Sequence, residues 1–282
     1  MAPEGNGRGE TVLHADVGSL ARATGTADGR HVGILSDHSV QEWQRRIDST
    51  PSPTDDRHFL KLGGKLRSTA AASSGGVQTR PMGPNLDVTV VEEATPDDLE
   101  RALDAALGDT DDGVLAVEDP SFVFDDADEP GERLDAFIEM ATDRCATVHA
   151  RVPNEPRAIT TLARRFDFAD DRCRRWIAET GVTQLREDDP TNFGYLRSNW
   201  REARRGLEAV DMVYPQSKQI HDAIPNPDTT PRTLGAALQA FVELGALGVW
   251  GDTVAANRYD MTGYDPEMVA AIGRAVEELH EK

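Results

Sequence analysis

Apolar residues in the first 168 positions alternate between short continuous runs and stripes with helical spacing. The short runs predict strands at 11–15, 31–36, 86–93, 112–119 and 145–152. The stripes predict helices at 19–25, 39–47, 95–107, 132–143 and 156–166. The clearest helix is 95–107, where Thr95 is a suitable N-cap and Leu99, Leu103 and Leu107 form the stripe. Because strands alternate with helices, we expect an α/β domain with a mostly parallel sheet and helices on both faces.

The pattern changes near the C-terminus. Residues 217–224 predict a short amphipathic helix, and the turn 225–230 ends in Thr230, an N-cap that precedes Pro231. The next helix has an apolar stripe, and Gly245 is suited to end it; the stripe is Leu234, Leu238, Phe241, Val242 and Leu244. Two short extended runs follow, within 248–264. This order is typical of a winged helix-turn-helix, whose second helix enters a DNA groove.

These patterns divide the chain into five predicted segments. We expect a disordered N-terminus, an α/β domain, a linker, the winged helix and a final helix; their bounds are 1–10, 11–168, 169–189, 190–264 and 265–282. The linker is rich in Arg and Asp. Final helices of this kind often pair, so a homodimer is expected.

The composition is strongly acidic. The chain has 50 Asp and Glu residues against 30 Lys and Arg residues, which gives a formal charge of -20. Just four of the basic residues are lysines: Lys61, Lys65, Lys218 and Lys282. This pattern is typical of cytosolic proteins from organisms that accumulate salt, because carboxylates hold water and cations while molar salt screens their repulsion. An ordinary acidic cytosolic protein is the alternative.

The negative charge is unevenly distributed. Between positions 191 and 260 there are seven basic and eight acidic residues, so this segment contributes a net charge of -1. Nearly all of the excess charge therefore lies outside the predicted winged helix. A near-neutral segment within an acidic chain is compatible with DNA binding.

Residues of three parts of the C-terminal segment are candidates for DNA contact. The helix-turn-helix supplies Lys218, Thr229, Thr230, Arg232, Thr233 and Gln239, the wing supplies Asn257 and Arg258, and the preceding long helix supplies Arg201 and Arg205. Arginine can pair with guanine and glutamine with adenine in the major groove. The candidate recognition helix has few donors, so a winged helix that docks a protein partner is the alternative. The cluster containing Arg201 and Arg205 could also pair with nearby acidic residues.

Two places in the α/β region bear on nucleotide chemistry. The first strand runs into LHADVGSLARAT, where Gly18 and Ser19 could stand at the end of a phosphate-binding loop. Glu118 and Asp119 follow a buried strand, as a metal-binding acidic pair would. With these features, the arrangement of 10–168 resembles the RecA/KaiC-like ATPase domain.

The resemblance implies a degenerate domain. The loop lacks the first glycine and the lysine that reaches the β- and γ-phosphates, and the sequence GGK at 63–65 lies far downstream with Leu66 after it. We therefore expect no catalytic residue, no cofactor and no metal, and a role in dimerisation or sensing. Glu118 and Asp119 are then expected to be hydrated carboxylates at a strand end. An active nucleotide-binding ATPase is the remaining alternative.

Other sites are not indicated. The seven histidines have no metal-binding spacing, and His149 is expected to be a hydrogen-bonded core residue. Cys145 and Cys173 form no CxxC motif. No run of 18 apolar residues exists, so we expect a cytoplasmic protein with no membrane partner. The preferred function is a DNA-binding transcriptional regulator that acts on double-stranded DNA as a homodimer; a protein-interaction adaptor is the alternative.

Low salt is predicted to destabilise the fold. As KCl falls, the screening length grows from about 3 Å at 1 M toward about 30 Å at 0.01 M, so the 50 carboxylates repel one another more strongly. Thermal unfolding followed by circular dichroism should show a lower midpoint at about 0.05 M than at about 2 M KCl. Equal midpoints would contradict the interpretation of the acidic composition.

Overall fold

The computed structural model describes residues 10–26, 29–50, 56–63, 77–92, 95–108, 113–123, 129–145, 147–153, 157–250 and 258–281. The chain forms two compact units. Met1–Arg157 with Arg165–Asp170 form the N-terminal unit, and Ala158–Arg164 with Asp171–Lys282 form the C-terminal unit. The predicted disordered segment 1–10 lies outside the described residues except for Glu10, which begins the first strand.

The N-terminal unit alternates strands and helices. Its strands are β1 (Glu10–His14), β2 (His31–Leu35), β3 (Arg57–Leu62), β4 (Val77–Gly83), β5 (Leu86–Val91), β6 (Val114–Val117), β7 (Thr147–Arg151) and β8 (Asp167–Phe168). Its helices are α1 (Val17–Gly25), α2 (Val40–Asp48), α3 (Pro96–Leu107) and α4 (Pro130–Thr142). The five strands and four of the five helices predicted for this region are present here, and the fifth, α5 (Ile159–Arg165), belongs to the C-terminal unit except for its last residue.

All eight strands form one sheet. Their order is β4-β5-β3-β2-β6-β7-β1-β8, and every pair is parallel except the edge pair of β4 and β5. Each residue of β2 and β6 is buried, as expected for strands that are covered on both faces. The predicted mostly parallel α/β architecture is therefore confirmed. Strands β3, β4 and β8 were not predicted.

A tight cluster forms under α1 and α2. Trp43 and Ile47 of α2 and Leu20 of α1 are fully buried together with Phe59 of β3. Gly33 of β2 makes room for this ring, because a Cβ atom there would lie 2.8 Å from Phe59 Cδ1. The cluster fixes both helices on the sheet and therefore fixes the loops that enter them.

The C-terminal unit is helical apart from one hairpin. Besides α5, it contains α6 (Asp171–Asp188), α7 (Pro190–Ala209), α8 (Ser217–Asp222), α9 (Pro231–Glu243), β9 (Gly248–Trp250), β10 (Arg258–Asp260) and α10 (Pro266–Glu281). Helix α7 packs against α9, and α6 packs against α10 and α7.

The predicted linker at 169–189 is wrong, because most of it is the 18-residue helix α6. The many Arg and Asp residues of this segment suggested a linker, but its apolar residues lie on one buried side: Cys173, Ile177, Ala178, Val182 and Leu185. Arg174 forms an ion pair with Glu267 at 2.8 Å, which joins α6 to the start of α10. The charged residues therefore belong to a packed helix.

No helix in the described part of the chain is long and apolar enough to cross a membrane.

Acidification is predicted to destabilise the N-terminal unit through His31. This side chain is 1% exposed at the start of β2, and burial, together with the charge of Arg57, lowers its pKa from 6.5 to about 3. Between these values the unfolded chain binds the proton and the folded chain does not, so the free energy of unfolding falls as the pH falls. The expected slope from this one residue is about 1.4 kcal/mol per pH unit.

The variant His31→Gln tests this assignment. Urea unfolding at several pH values between 6 and about 4 should give a shallower pH dependence than the wild-type protein by about one proton. Identical slopes would show that His31 does not contribute.

Candidate nucleic-acid interface

Helix α9 begins at a well-capped N-terminus. The Thr230 hydroxyl accepts a hydrogen bond from the Thr233 amide at 3.2 Å, and Pro231 occupies the first helical position. The preceding helix α8 is fixed by the Gln219 side chain, which accepts from the Gln216 amide at 2.8 Å. Both helices predicted around the turn are therefore present.

Side chains of α7 and α8 hold the turn between α8 and α9. The buried Glu202 carboxylate accepts a hydrogen bond from the Asp228 amide at 2.6 Å. His221 Nε2 donates to the Thr229 carbonyl at 2.9 Å, which fixes the tautomer with the proton on Nε2. Asn226 adopts a positive φ of 50° within the turn. These contacts determine where α9 begins.

Two close contacts join α7 to α8 and the hairpin to α9. A Cβ atom on Gly206 would lie 2.6 Å from Ile220 Cγ2, so glycine allows α7 and α8 to approach closely. The Tyr259 hydroxyl donates to the Gly235 carbonyl at 3.2 Å, which joins β10 to α9. Burial raises the pKa of this phenol to about 12, so Tyr259 is protonated at neutral pH.

The hairpin is extended by the chain that follows α7. Strands β9 and β10 are antiparallel, with Arg258 opposite Trp250. On the other side of β10, Gln216 pairs with Arg258, and the Tyr259 amide donates to the Pro215 carbonyl at 2.9 Å.

One stripe of α9 faces away from its packed side. Arg232, Ala236 and Gln239 follow helical spacing on this stripe, opposite Leu234, Leu238 and Phe241, which are fully buried. Arg232 is exposed and forms no ion pair with any described residue. Arg258 on β10 is exposed as well and also forms no ion pair with a described residue. These two arginines are the predicted contacts that remain accessible.

Gln239 is half-buried on the same stripe, and four other predicted contacts in or before α8 and α9 make contacts within the protein. Lys218 forms an ion pair with Asp222 at 2.5 Å, and this hydrogen bond lowers the pKa of Asp222. Thr230 and Thr233 form the helix cap, with their hydroxyls 3.0 Å apart. The half-buried Thr229 accepts from His221 through its carbonyl. Asn257 lies outside the described residues.

Arg201 and Arg205, the two predicted contacts on α7, make contacts within the protein. Both are exposed on this helix. Arg201 is paired with Glu277 of α10, and its guanidinium stacks on the Trp200 ring at 5.1 Å. Arg205 donates to the Pro225 carbonyl at 3.3 Å. Their contacts favour the internal-pairing alternative that the sequence left open.

Sequence reasoning missed an aromatic pair beside the hairpin. Trp250 is 51% exposed, and the Tyr214 ring lies 4.9 Å from it between centroids. The two residues are far apart in sequence, and their contact arises because the chain at 213–216 runs along β10. The available sequence signal was a tryptophan in the first of the two short extended runs within 248–264.

The carboxyl edge of the N-terminal sheet is the second place where a ligand could bind. The chain leaves β2 toward its neighbour β3 and leaves β6 toward its neighbour β7, so adjacent strands are left in opposite directions. Open α/β sheets commonly bind ligands at such a point.

A buried glutamate fills that point here. Glu118 follows β6 and is 0% exposed. Its carboxylate accepts from the amides of Ser36, Asp37 and His38 at 2.9, 3.0 and 3.1 Å, and His38 Nδ1 contacts the same group. The expectation of a hydrated carboxylate is therefore wrong for Glu118. It anchors the loop between β2 and α2.

Two cationic side chains, Arg151 and Lys61, bind groups of the protein at this edge. Arg151 donates to the Glu118 carbonyl at 2.7 Å and to Asp119 at 3.1 Å. Lys61 donates to the carbonyls of Ser36 and His38. The cations are thus bound to groups of the protein itself.

The start of α1, where a phosphate loop would lie, is also occupied. The Asp16 carboxylate accepts from the Ser19 amide at 2.9 Å and caps the helix. A negative side chain therefore binds the helix N-terminus that a phosphate would use. Lys65 of the GGK sequence lies outside the described residues.

His149 pairs with His14 on adjacent strands. The His14 Nε2 and His149 Nδ1 atoms lie 2.9 Å apart, so one nitrogen donates and the other accepts. Burial lowers both pKa values, that of His149 to about 4. His149 was expected to be a hydrogen-bonded core residue; its hydrogen bond is confirmed, but the residue is half-buried. In the described part of the chain, no group of three or more His, Cys, Asp or Glu side chains could hold a metal ion.

Searches of protein-family models and of curated proteins found no match to this sequence.

Replacing Glu118 by Gln is predicted to destabilise the N-terminal unit. The glutamine side chain has one acceptor oxygen, where the glutamate carboxylate has two. Its NH2 group would face the backbone N–H groups of the loop, so buried N–H donors would lose their hydrogen-bond acceptor. The expected loss is about 3 kcal/mol of unfolding free energy, within the range for breaking a buried charged network. Urea unfolding in high KCl measures it.

Glu132→Gln is the matched control, because Glu132 is exposed on α4. A surface change of this kind should shift stability by about 0.5 kcal/mol or less. Equal effects of the two variants would contradict the anchoring role of Glu118.

Proposed function

We propose that the C-terminal unit is a winged helix-turn-helix that binds double-stranded DNA and that the protein regulates transcription. The order of α7, α8, α9 and the β9–β10 hairpin supports this proposal, as does the pairing of Gln216 with β10. The observation on which it mainly rests is the position of Arg232 in the first turn of α9, where it is exposed and forms no ion pair with any described residue. In this motif, residues near the start of the second helix contact base edges.

The stripe of α9 that begins at the exposed Arg232 suits contact with a major groove. Arg232 offers the donors that pair with guanine, and Gln239 lies two turns further along the same stripe. Ala236 between them is small enough for close approach to the base edges. Glu243, the acidic residue of this helix, lies at its far end, where its carboxylate accepts from Asn192 Nδ2 at 2.8 Å.

Arg258 supports the role of the hairpin. It is exposed on β10, and Tyr259 beside it is hydrogen-bonded to α9 through Gly235. The hairpin and α9 are therefore held in one arrangement, and both present an arginine. Arg258 would contact phosphate or the minor groove.

We propose that the N-terminal unit is a degenerate RecA/KaiC-like domain that serves dimerisation or sensing and does not hydrolyse nucleotides. Asp16 at the start of α1 and Glu118 at the carboxyl edge both support this role, because each places a carboxylate where a phosphate or a metal would bind. The parallel sheet supplies the scaffold.

A protein-docking role of the C-terminal unit is the second candidate. Met212 and Val213, in the segment after α7, are 43% and 52% exposed. Exposed apolar residues of this kind are found at protein interfaces. A protein-docking role would not require Arg232.

Arg232→Ala is predicted to weaken duplex binding. At a site selected from a random duplex pool in high KCl, the variant should lose about 1–3 kcal/mol and discriminate less at one base pair. Arg258→Ala should weaken all duplexes about equally, as a phosphate contact would. Fluorescence anisotropy of labelled duplexes measures both effects.

Arg197→Ala is the control, since Arg197 is an exposed arginine on the outer side of α7. It should leave binding unchanged. A wild-type protein that selects no duplex, or an Arg232→Ala variant that binds like the Arg197→Ala variant, would favour the docking role.

A further inference from the structure

One face of the hairpin is exposed to solvent and rich in π systems. Trp250, Arg258 and Gln216 lie opposite one another on three adjacent extended segments, so their side chains share a face. The neighbouring Tyr259 points to the other face, where it contacts α9. The first face is therefore the outer one. We call Trp250, Tyr214 and Arg258 the outer aromatic face.

The two rings of this face are partly stacked. Their centroids are 4.9 Å apart and their planes are inclined by 38°. Trp250 is the most exposed tryptophan of the four, since Trp43 is fully buried and Trp176 and Trp200 are half-buried. Leaving half of an indole in water forgoes apolar burial, and a ligand that covered the ring would recover it.

A cation completes the outer aromatic face. Arg258 is opposite Trp250 and forms no ion pair with a described residue. The nearest carboxylate along β10 is that of Asp260, which already accepts from the Thr262 amide at 2.9 Å and from its hydroxyl at 2.7 Å. The face therefore combines flat aromatic surfaces with a positive charge.

We infer that the outer aromatic face is a stacking platform for unpaired nucleic-acid bases. This inference rests on the proposed function and specifies what the hairpin contacts. An indole and a phenol provide flat surfaces on which bases stack, and the guanidinium can bind the adjoining phosphate. An aliphatic protein surface would use neither the ring planes nor the charge.

The bases must be unpaired, because the face of a base within a duplex is covered by its neighbours. A single strand, or a step opened beside the α9 contact, exposes that face. Stacking also persists at molar salt, which screens contacts between charges. Such a contact suits a chain with a formal charge of -20.

A short oligothymidine in high KCl is the probe. Its binding should quench tryptophan fluorescence of the wild-type protein, and anisotropy of the labelled oligonucleotide should show that Trp250→Ala weakens binding by about five- to a hundredfold. Trp250→Phe should restore most of the affinity because it retains a ring. Val213→Ala, which shortens an exposed aliphatic neighbour, should leave the affinity unchanged.

Three results would overturn the inference. They are no binding of oligothymidine, equal binding by the wild-type protein and Trp250→Ala, or a change in sedimentation of Trp250→Ala that shows loss of a dimer and makes this face a protein interface. If duplex binding depends on Arg232 while oligothymidine binding does not depend on Trp250, this inference alone fails and the proposed duplex function stands. Oligothymidine binding that depends on Trp250, without any duplex binding, would sink the proposed duplex function and leave the platform standing.

Discussion

The Asp228 amide donates a hydrogen bond to the buried Glu202 carboxylate, and the position of α9 depends on it. A buried carboxylate is costly unless donors surround it, so the turn is drawn toward α7. The cap at Thr230 then begins the helix two residues later. Glu118 acts in the same way in the other unit, where it holds the loop after β2. In both units a glutamate fixes a loop beside a candidate site.

These two glutamates have opposite consequences for binding. Glu118 and its partners fill the carboxyl edge of the sheet, so the protein itself uses the donors that a phosphate would need. Glu202 binds the turn from the α7 side, and Arg232 at the start of α9 stays exposed. We therefore propose that the C-terminal unit recognises DNA and that the sheet serves as a scaffold.

Local sequence patterns predict correctly those helices in which the apolar periodicity and the capping residues agree. The Thr95 and Thr230 caps and the apolar stripes behind them gave α3 and α9 correctly. Strand β3 was missed because the residues around it resemble a loop, and its burial comes from neighbouring strands. Helix α6 was mistaken for a linker because its charged residues outnumber its apolar ones, although the latter share one side. The burial of Glu118 and the contact of Tyr214 with Trp250 depend on distant parts of the chain, which local patterns do not describe.

Hydrogen–deuterium exchange of the full chain with and without a selected duplex tests the central claim most directly. We predict slower exchange of the backbone amides at the start of α9 and in β10 when the duplex is bound, and unchanged exchange of the backbone amides of α7. Protection confined to the N-terminal sheet, or an unchanged exchange pattern at saturating duplex, would contradict recognition by α9.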